Sequence, residues 1–427
     1  MGYPATLQAA ALVKAPETVV HGARPEARAL GERTIATEVY WLMPGPQAFS
    51  DAVATAVLEN RWLTIRTPAS ATPGFVSAIE AALERAHLDN EQSRWVRSAD
   101  HHDVATLIGT LFGMAALHPA QLAEMSGPVR TIVLEPKGEQ ASAACEVYLE
   151  AFAEAVAHVP RARGQASVIA VLPQSLDATK APIGRPPQQI VFSGALTPHE
   201  MQAYVAVRMA DRSGPGSTEL LRMLVTEFAG FDAQLAEELI GFSDEALLDL
   251  PASLASLSAA NDSLWRTGRW SAGCYADVCG ERRRHVLYEL YLSRHAGPDQ
   301  RDASEWLKRR YWRACLRSLL PWLEERRSRV IDVLRSALEQ HLMATGGKAV
   351  RTTASGYRIE TSIDDLEYNQ IPGLVLNESF TANGIRPKLA VDLCFAAKRV
   401  RDSMAHMRPP DVRYILEMTD LMQRLFG

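Results

Sequence analysis

The chain has 427 residues, of which 47% are hydrophobic, 22% charged and 7% aromatic. At roughly 100 to 200 residues per domain this length predicts two to four domains, each with its own core, which excludes a stapled mini-protein, and no apolar run approaches the ~20 residues of a membrane span, so a soluble protein is the expectation. The formal net charge of −5 conceals an asymmetry, since residues 1–264 hold 18 Lys and Arg against 30 Asp and Glu while residues 265–427 hold 27 against 20.

Residues 1–37 carry Pro4, Pro16 and Pro25 without sustained periodicity and are expected to form an irregular N-terminal arm. The run Val39-Tyr40-Trp41-Leu42-Met43 stops at Pro44-Gly45-Pro46, and Ala48, Phe49, Ala52, Val53, Ala56 and Val57 follow at helical spacing, which predicts strand, tight turn and helix. Leu63-Thr64-Ile65 reads as the next short strand. Helices are expected from Pro73 to about His87 and from Val104 to Ala116, the second capped at Asp100. Thr131 to Leu134 reads as a buried strand ending at Glu135-Pro136, residues 139–158 as a long amphipathic helix, and Ser167 to Leu172 and Gln189 to Phe192 as two further strands. Strands alternating with helices predict an α/β domain over residues 38–195, with a parallel sheet covered on both faces.

After Thr197-Pro198 the strand patterns stop. Residues 199–211, 217–229, 232–240 and 244–257 read as short helices broken by Gly214-Pro215-Gly216, Gly230 and Gly241, a helical lid over residues 196–262. A linker is expected near residues 258–275, where Ser258 to Ser263, Gly268 and Gly273 interrupt the patterns and the charge balance changes sign. Residues 275–427 read as an all-α domain. In it, Trp306 to His341 is one very long helix that Pro321 is expected to kink or split, Gly346 to Gly373 is a polar stretch with room for a hairpin, and Leu389 to Met407 and Val412 to Phe426 are helices separated by Pro409-Pro410. The basic balance of this half suits an anionic partner such as nucleic acid, and it equally suits solvated Arg-rich helix faces.

The order strand, turn, helix, strand, then a buried strand ending in an acid, further strands and a helical lid resembles the core and lid of an AAA-type P-loop ATPase over about residues 38–260. That resemblance implies a phosphate-binding first turn and a magnesium-linked acid at Glu135. The turn lacks the required chemistry: Pro44-Gly45-Pro46-Gln47-Ala48-Phe49 has neither the Lys nor the hydroxyl residue, and its prolines remove amide donors that would face the phosphates. A degenerate ATPase-like domain without a bound cofactor is the expectation, and Glu135 reads more readily as a polar strand end than as a magnesium-linked acid.

Other candidates for chemistry are weaker. Thr345-Gly346-Gly347-Lys348 has no preceding strand and no hydroxyl residue after the lysine. Cys274, Cys279, His285 and His295 are zinc-ligand types at poor spacing, and no metal site is expected. His101-His102-Asp103 fits a helix start, and His199-Glu200 fits a first-turn acid without the second His of a metalloprotease helix. Trp306, Tyr311, Trp312 and Trp322, at helical spacing, read as packing more readily than as a base-stacking surface. The odd, scattered cysteines (Cys145, Cys274, Cys279, Cys315, Cys394) and the lack of an export-like N-terminus predict a cytoplasmic chain without disulfides.

The informative segment is Val400-Arg401-Asp402-Ser403-Met404-Ala405-His406-Met407-Arg408-Pro409-Pro410. It resembles the signature of the HEPN family, in which Arg is followed by a polar residue, a short spacer and His; Arg401, Asp402 and His406 match residue by residue. The resemblance implies a helical bundle over residues 275–427, pairing of two copies, and a metal-independent ribonuclease whose catalytic residues are Arg401, Asp402 and His406. The chemistry is apt, because cleavage by the 2'-hydroxyl calls for a proton-transfer group titrating near neutrality and a fixed cation on the phosphorane oxygens. Five residues apart on a regular helix, Arg401 and His406 diverge by about 140 degrees, so the motif is expected where the helix ends, at Pro409-Pro410. Asp402 orients one of the two or stays solvated.

Together these readings predict a HEPN-type endoribonuclease effector with an ATPase-like sensor or scaffold domain. RNA would be the substrate, a second copy of the chain would pair through the HEPN-like domain, and protein partners would trigger a prokaryotic defence or toxin function. The alternative is a catalytically inactive regulator or assembly subunit in which both sites are vestigial.

Overall fold

The computed structural model describes residues 35–67, 72–86, 93–98, 103–126, 131–136, 138–160, 165–173, 189–212, 218–262, 275–295, 303–344, 349–352, 358–376 and 385–427. Residues 1–34 of the expected arm, residues 263–274 of the expected linker, His101-His102, Cys274 and residues 345–348 lie outside them.

Five strands, β1 (Trp62–Thr67), β2 (Ser93–Ser98), β3 (Thr131–Pro136), β4 (Ser167–Pro173) and β5 (Gln189–Val191), form one sheet in the order β2-β3-β4-β1-β5. Every neighbouring pair is parallel, with Ile65 opposite both Val171 and Ile190 and Val133 opposite Ile169. Because side chains alternate along a strand, the sheet feeds two cores. Leu63, Ile65, Val133, Ile169 and Val171 pack with α2 (Pro44–Asn60) and α3 (Phe75–Arg85). Ile132, Leu134, Val168, Ala170 and Leu172 pack on the other face with α4 (Val104–Leu111), α5 (Pro119–Glu124) and α6 (Glu139–His158). Burial on both faces is why these strands read as nearly continuous apolar runs. Arg61, in the left-handed region at φ 64, turns the chain from α2 into β1. Its buried guanidinium donates to the carbonyls of Ala123 and Ala166, fastening that corner to the far side of the sheet.

Helices α7 (Pro198–Arg208), α8 (Thr218–Ala229), α9 (Ala233–Ile240), α10 (Asp244–Leu248) and α11 (Leu250–Ala260) follow the sheet. A hairpin of β6 (Tyr275–Val278) and β7 (Glu281–Arg284) leads into α12 (Val286–His295) and the 42-residue α13 (Ala303–Ala344). A second hairpin, β8 (Ala349–Thr352) with β9 (Arg358–Thr361), precedes α14 (Ile371–Leu376), α15 (Ile385–Ala405) and α16 (Val412–Phe426). The fold class is thus a parallel α/β sheet region joined to a helical region, and no helix among the described residues is long and apolar enough to cross a membrane.

Five expectations differ from the structure. Val39 to Met43 is not a strand: α1 (Thr37–Tyr40) and a turn occupy it, with Ala36, Tyr40 and Met43 buried at helical spacing while Leu42 is 71% exposed. Strand β2 went unread; it is the sheet's outer strand, and SRWVRS has too few apolar residues to announce itself. The helix from Val104 is capped by Asp103, whose side chain accepts from Thr106 N at 3.2 Å, and it ends at Leu111, where Gly113 (φ 70) closes it with Gly113 N–H on Thr110 O and Met114 N–H on Gly109 O. Pro321 does not split α13. Residues 275–427, expected to be all-α, also hold the β6–β7 and β8–β9 hairpins.

The lid helices and the C-terminal helices share one hydrophobic core, in which Leu224 and Phe228 of α8 sit with Leu307, Tyr311 and Leu319 of α13 and with Leu393 and Val400 of α15. Polar contacts cross the same boundary. Ser258 Oγ donates to Leu287 O at 2.9 Å, and His285 meets Asp232 at 2.8 Å. Glu227 is 8% exposed and holds Arg317 at 2.6 Å and Arg313 at 3.2 Å, while its carbonyl accepts from Arg310. Removing a buried carboxylate leaves its cations uncompensated, and because Arg313 and Arg317 reach solvent the loss is moderate. Glu227→Ala should cost about 1 to 3 kcal/mol, read as a lower midpoint in urea unfolding with an unchanged slope.

Candidate functional site

In an open parallel sheet a ligand binds at the carboxyl ends of the strands, where successive connections leave for opposite faces. Here β1 leads to α3 on one face and β3 to α6 on the other, so that crevice lies beyond Thr67, Glu135 and Pro173. The turn after the first strand is therefore Pro68 to Gly74, of which residues 72–74 are described, and in sequence it too has no lysine. Its described end is clamped from outside. Trp41 Nε1 donates to Pro73 O at 2.9 Å, and a Cβ on Gly74, which adopts φ 76, would lie 3.0 to 3.1 Å from Trp41 and Thr37. The Trp41 ring stacks on Phe192 at 5.5 Å, and Phe49 and Phe75 close on Phe192 at 4.5 and 5.5 Å. Four aromatic rings from α1, α2, α3 and the end of β5 thus pack where the first turn meets the lid. Glu135, half-buried, stands in register with Arg97 of β2.

The Pro44-Gly45-Pro46 turn is no phosphate loop but the first turn of α2, with its prolines at N1 and N3, and its amides are committed. Gly45 N–H donates to Glu200 Oε1, and Gln47 N–H donates to Met43 O at 3.0 Å. Glu200 also accepts from Thr197 N at 2.8 Å while Thr197 Oγ1 accepts from Glu200 N, a capping box that starts α7 and ties it to α2. Calorimetry with ATP and magnesium should accordingly show no binding, since no lysine stands at either turn; micromolar affinity would reopen the nucleotide site.

Burial pushes the Glu200 carboxyl up, but hydrogen bonds from Thr197 and Gly45 outweigh it and hold it below the ordinary glutamate range. A depressed carboxylate contributes stability that is present above the unfolded-state pKa, ~4.3, and lost as pH falls through the folded value. Glu200→Gln should therefore lower stability by about 1 to 2 kcal/mol at pH 7, and the gap from wild type should close below about pH 4 in pH-dependent denaturation.

The Arg401 segment lies at the end of α15. Arg401, half-buried, pairs with Glu367 at 2.7 Å, and that hydrogen bond raises its pKa further above the ordinary arginine value. Asp402 is exposed and pairs with Lys398 at 3.2 Å, one turn back. His406 is the exposed residue just after the last helical turn; its N–H donates to Asp402 O at 3.1 Å, and its ring makes no hydrogen bond among the described residues. Met407, 72% exposed, follows in the left-handed region at φ 56, with Met407 N–H on Met404 O at 3.1 Å and Arg408 N–H on Ser403 O at 2.9 Å. This is the double bond pattern that glycine normally serves at a helix end, performed by a methionine at a cost in backbone strain. In one chain the three side chains diverge: Arg401 goes to Glu367, Asp402 to Lys398, and His406 to solvent. Behind the corner, Trp312 of α13 donates its indole N–H to Met404 O at 2.8 Å.

The other sequence candidates have structural occupations. His285 is held by Asp232, His295 meets Asp262 at 3.0 Å, Cys279 is exposed, and no group of three metal-ligand side chains gathers among the described residues. Tyr311 is buried; Trp306 and Trp322 carry the guanidinium groups of Arg310 and Arg326 at 4.3 and 4.5 Å. Sequence reasoning missed the hairpin of β6 and β7, whose Arg282, Arg283 and Arg284 are all exposed. Its signal was the pair Cys279-Gly280, both at positive φ (54 and 79), a two-residue turn between Tyr275-Ala276-Asp277-Val278 and Glu281.

No protein-family model matches the chain, and no curated protein matches it significantly.

Proposed function

We propose that the chain is a HEPN-type, metal-independent endoribonuclease effector whose parallel-sheet region is a degenerate ATPase-like scaffold, acting in the cytoplasm within a prokaryotic defence or toxin system. One observation carries this reading: the His406 ring stands exposed and makes no hydrogen bond among the described residues, at a helix end kept by strained backbone, with the permanent cation Arg401 on the preceding turns. Strain of that kind concentrates at functional sites. In this reading His406 moves the proton of the 2'-hydroxyl or of the leaving oxygen, Arg401 stabilises the phosphorane, and Asp402 holds charge near the motif. The Arg401–Glu367 ion pair keeps the cation occupied at rest, so activation includes its release. Pairing of two copies is supported by the face of α15 and α16, where Asp392, Glu417 and Asp420 alternate with Lys398, Arg399 and Arg424 around an open groove beside the exposed Phe395. The parallel strand order and the lid that follows it support the scaffold reading.

A second reading, a catalytically silent regulator or assembly subunit, draws on the same ion pair and on the aromatic packing at the first turn, which leave Arg401 neutralised and the crevice clamped. One experiment separates the two. Activated protein should cleave RNA in EDTA, leaving 2',3'-cyclic phosphate and 5'-hydroxyl ends, and should spare DNA. His406→Ala and Arg401→Ala should each cost about 10² to 10³ in rate without a change in melting temperature, whereas Glu367→Gln should raise basal cleavage. Undiminished toxicity of His406→Ala in cells where the wild type is toxic would remove the ribonuclease reading.

A further inference from the structure

The β6–β7 hairpin and α12 carry a second constellation, away from the Arg401 motif. Tyr288, Tyr291 and His295 share one side of α12, at i, i+3 and i+7, and none of them is buried, whereas Val286, Leu287 and Leu290 fill the core from its other side. Their rings form a ladder with Tyr275 of β6: Tyr275 meets Tyr288 edge-on at 5.7 Å, Tyr288 lies nearly parallel to Tyr291 at 6.1 Å, and Tyr291 meets His295 at 4.5 Å. Arg282 and Arg284 stand over the Tyr275 ring at 4.7 and 5.7 Å.

The arginines are more numerous than their acids. Arg284 pairs with Glu289 at 2.6 Å and Arg283 with Glu281 at 3.2 Å, but Arg282 makes no ion pair among the described residues. The positive charge continues onto α13 through exposed Arg309 and Arg313 and through Arg310, whose pKa is lowered to about 10, by burial first and then by Arg313 and, more weakly, Arg283. Crowding of like charge around Arg310 is a cost to the fold, while Arg282, in register with Asp277, stays exposed. Solvated arginines alone would need no rings beside them, and packing rings alone would need no exposed guanidinium groups over them. Partly exposed rings in series beside Arg282, which has no ion pair among the described residues, and Arg284 are the two parts of a surface that tracks single-stranded nucleic acid, the arginines on phosphates and the rings on bases.

We propose that the ladder Arg282, Arg284, Tyr275, Tyr288, Tyr291 and His295 is a binding surface for single-stranded nucleic acid. It reads stacking and charge with no demand for a particular base, so its affinity is salt-dependent and tolerant of sequence. This binding does not depend on the ribonuclease reading.

The test uses the full chain and fluorescently labelled 20-nucleotide single strands of RNA and DNA, with duplex DNA as competitor, followed by anisotropy. Both single strands should bind, and duplex should compete at least ten-fold more weakly. Tyr291→Ala should weaken binding about five-fold or more while Tyr291→Phe binds as wild type, which separates stacking from the hydroxyl. Arg282→Ala, an exposed change that leaves the melting temperature unaltered, should flatten the slope of log affinity against log salt by about 0.7, the loss of one phosphate contact. His406→Ala should bind as wild type. No binding by the wild type at tens of micromolar, tighter binding of duplex, or affinity unmoved by both Arg282→Ala and Tyr291→Ala would overturn the proposal. A protein that binds through the ladder without cleaving RNA would sink the ribonuclease reading alone, and one that cleaves RNA but binds independently of the ladder would sink this inference alone.

Discussion

The structure hangs on one rod. Helix α13 is 42 residues long, about 63 Å, and α8 packs along one side of it while α14 and α15 pack along others. Its middle contains Pro321, which forfeits an amide donor and in a helix interior costs roughly 3 kcal/mol. The rod survives because Pro321 is exposed, where water can serve the carbonyl left without a donor, and because Leu319, Leu323, Val330, Ile331 and Leu334 are all buried around it. A rod shared by both halves also removes their independence. Glu227 beneath Arg313 and Arg317, and Ser258 on the Leu287 carbonyl, join the lid helices and the C-terminal helices, which share one hydrophobic core.

Much of this was legible in the sequence, and the failures have physical causes. The strands buried on both faces announced themselves as apolar runs, and the long helix 139–158 by its periodicity. Strand order was not legible, because nothing local says that β4 inserts between β1 and β3. Val39 to Met43 misled because five apolar residues in a row fit either period, and only the burial of Ala36, Tyr40 and Met43 decides for a helix. That one misreading moved the expected first turn from Pro68–Gly74 back to Pro44–Gly45, although the missing lysine is common to both. At the candidate site, Arg401, Asp402 and His406 were visible as residue types and the helix end was visible in Pro409-Pro410. The partners Glu367 and Lys398 were not: the first comes from a separate loop 34 positions away.

The charge asymmetry was equally ambiguous in the sequence, and the structure divides the arginines by occupation. Some serve the backbone: Arg61 binds two carbonyls across the sheet, Arg212 binds the Ile240 and Phe242 carbonyls at the end of α9, and Arg327 binds those of Asp364 and Leu366. Others neutralise buried acid, as around Glu227. Many pair with exposed acids, as Arg85 does with Asp51 and Arg335 with Asp364. A few stand over rings, as Arg282 does on Tyr275 and Arg399, also paired with Glu417, on Tyr414 at 4.7 Å each. Arg282, which makes no ion pair among the described residues, is of the kind that leaves positive charge for something outside the chain, and sequence composition cannot distinguish it from the others.

The turn of α13 from Arg309 to Arg313 brings these themes to one place. On one side Arg310 donates to the Glu227 carbonyl; on the other Trp312 donates to Met404 O. Arg313, exposed on the same turn, is held by Glu227 of the lid at 3.2 Å. One short turn of α13 thus meets the lid through Glu227 and the end of α15 through Met404, which is why its side chains are committed to packing more than to solvent.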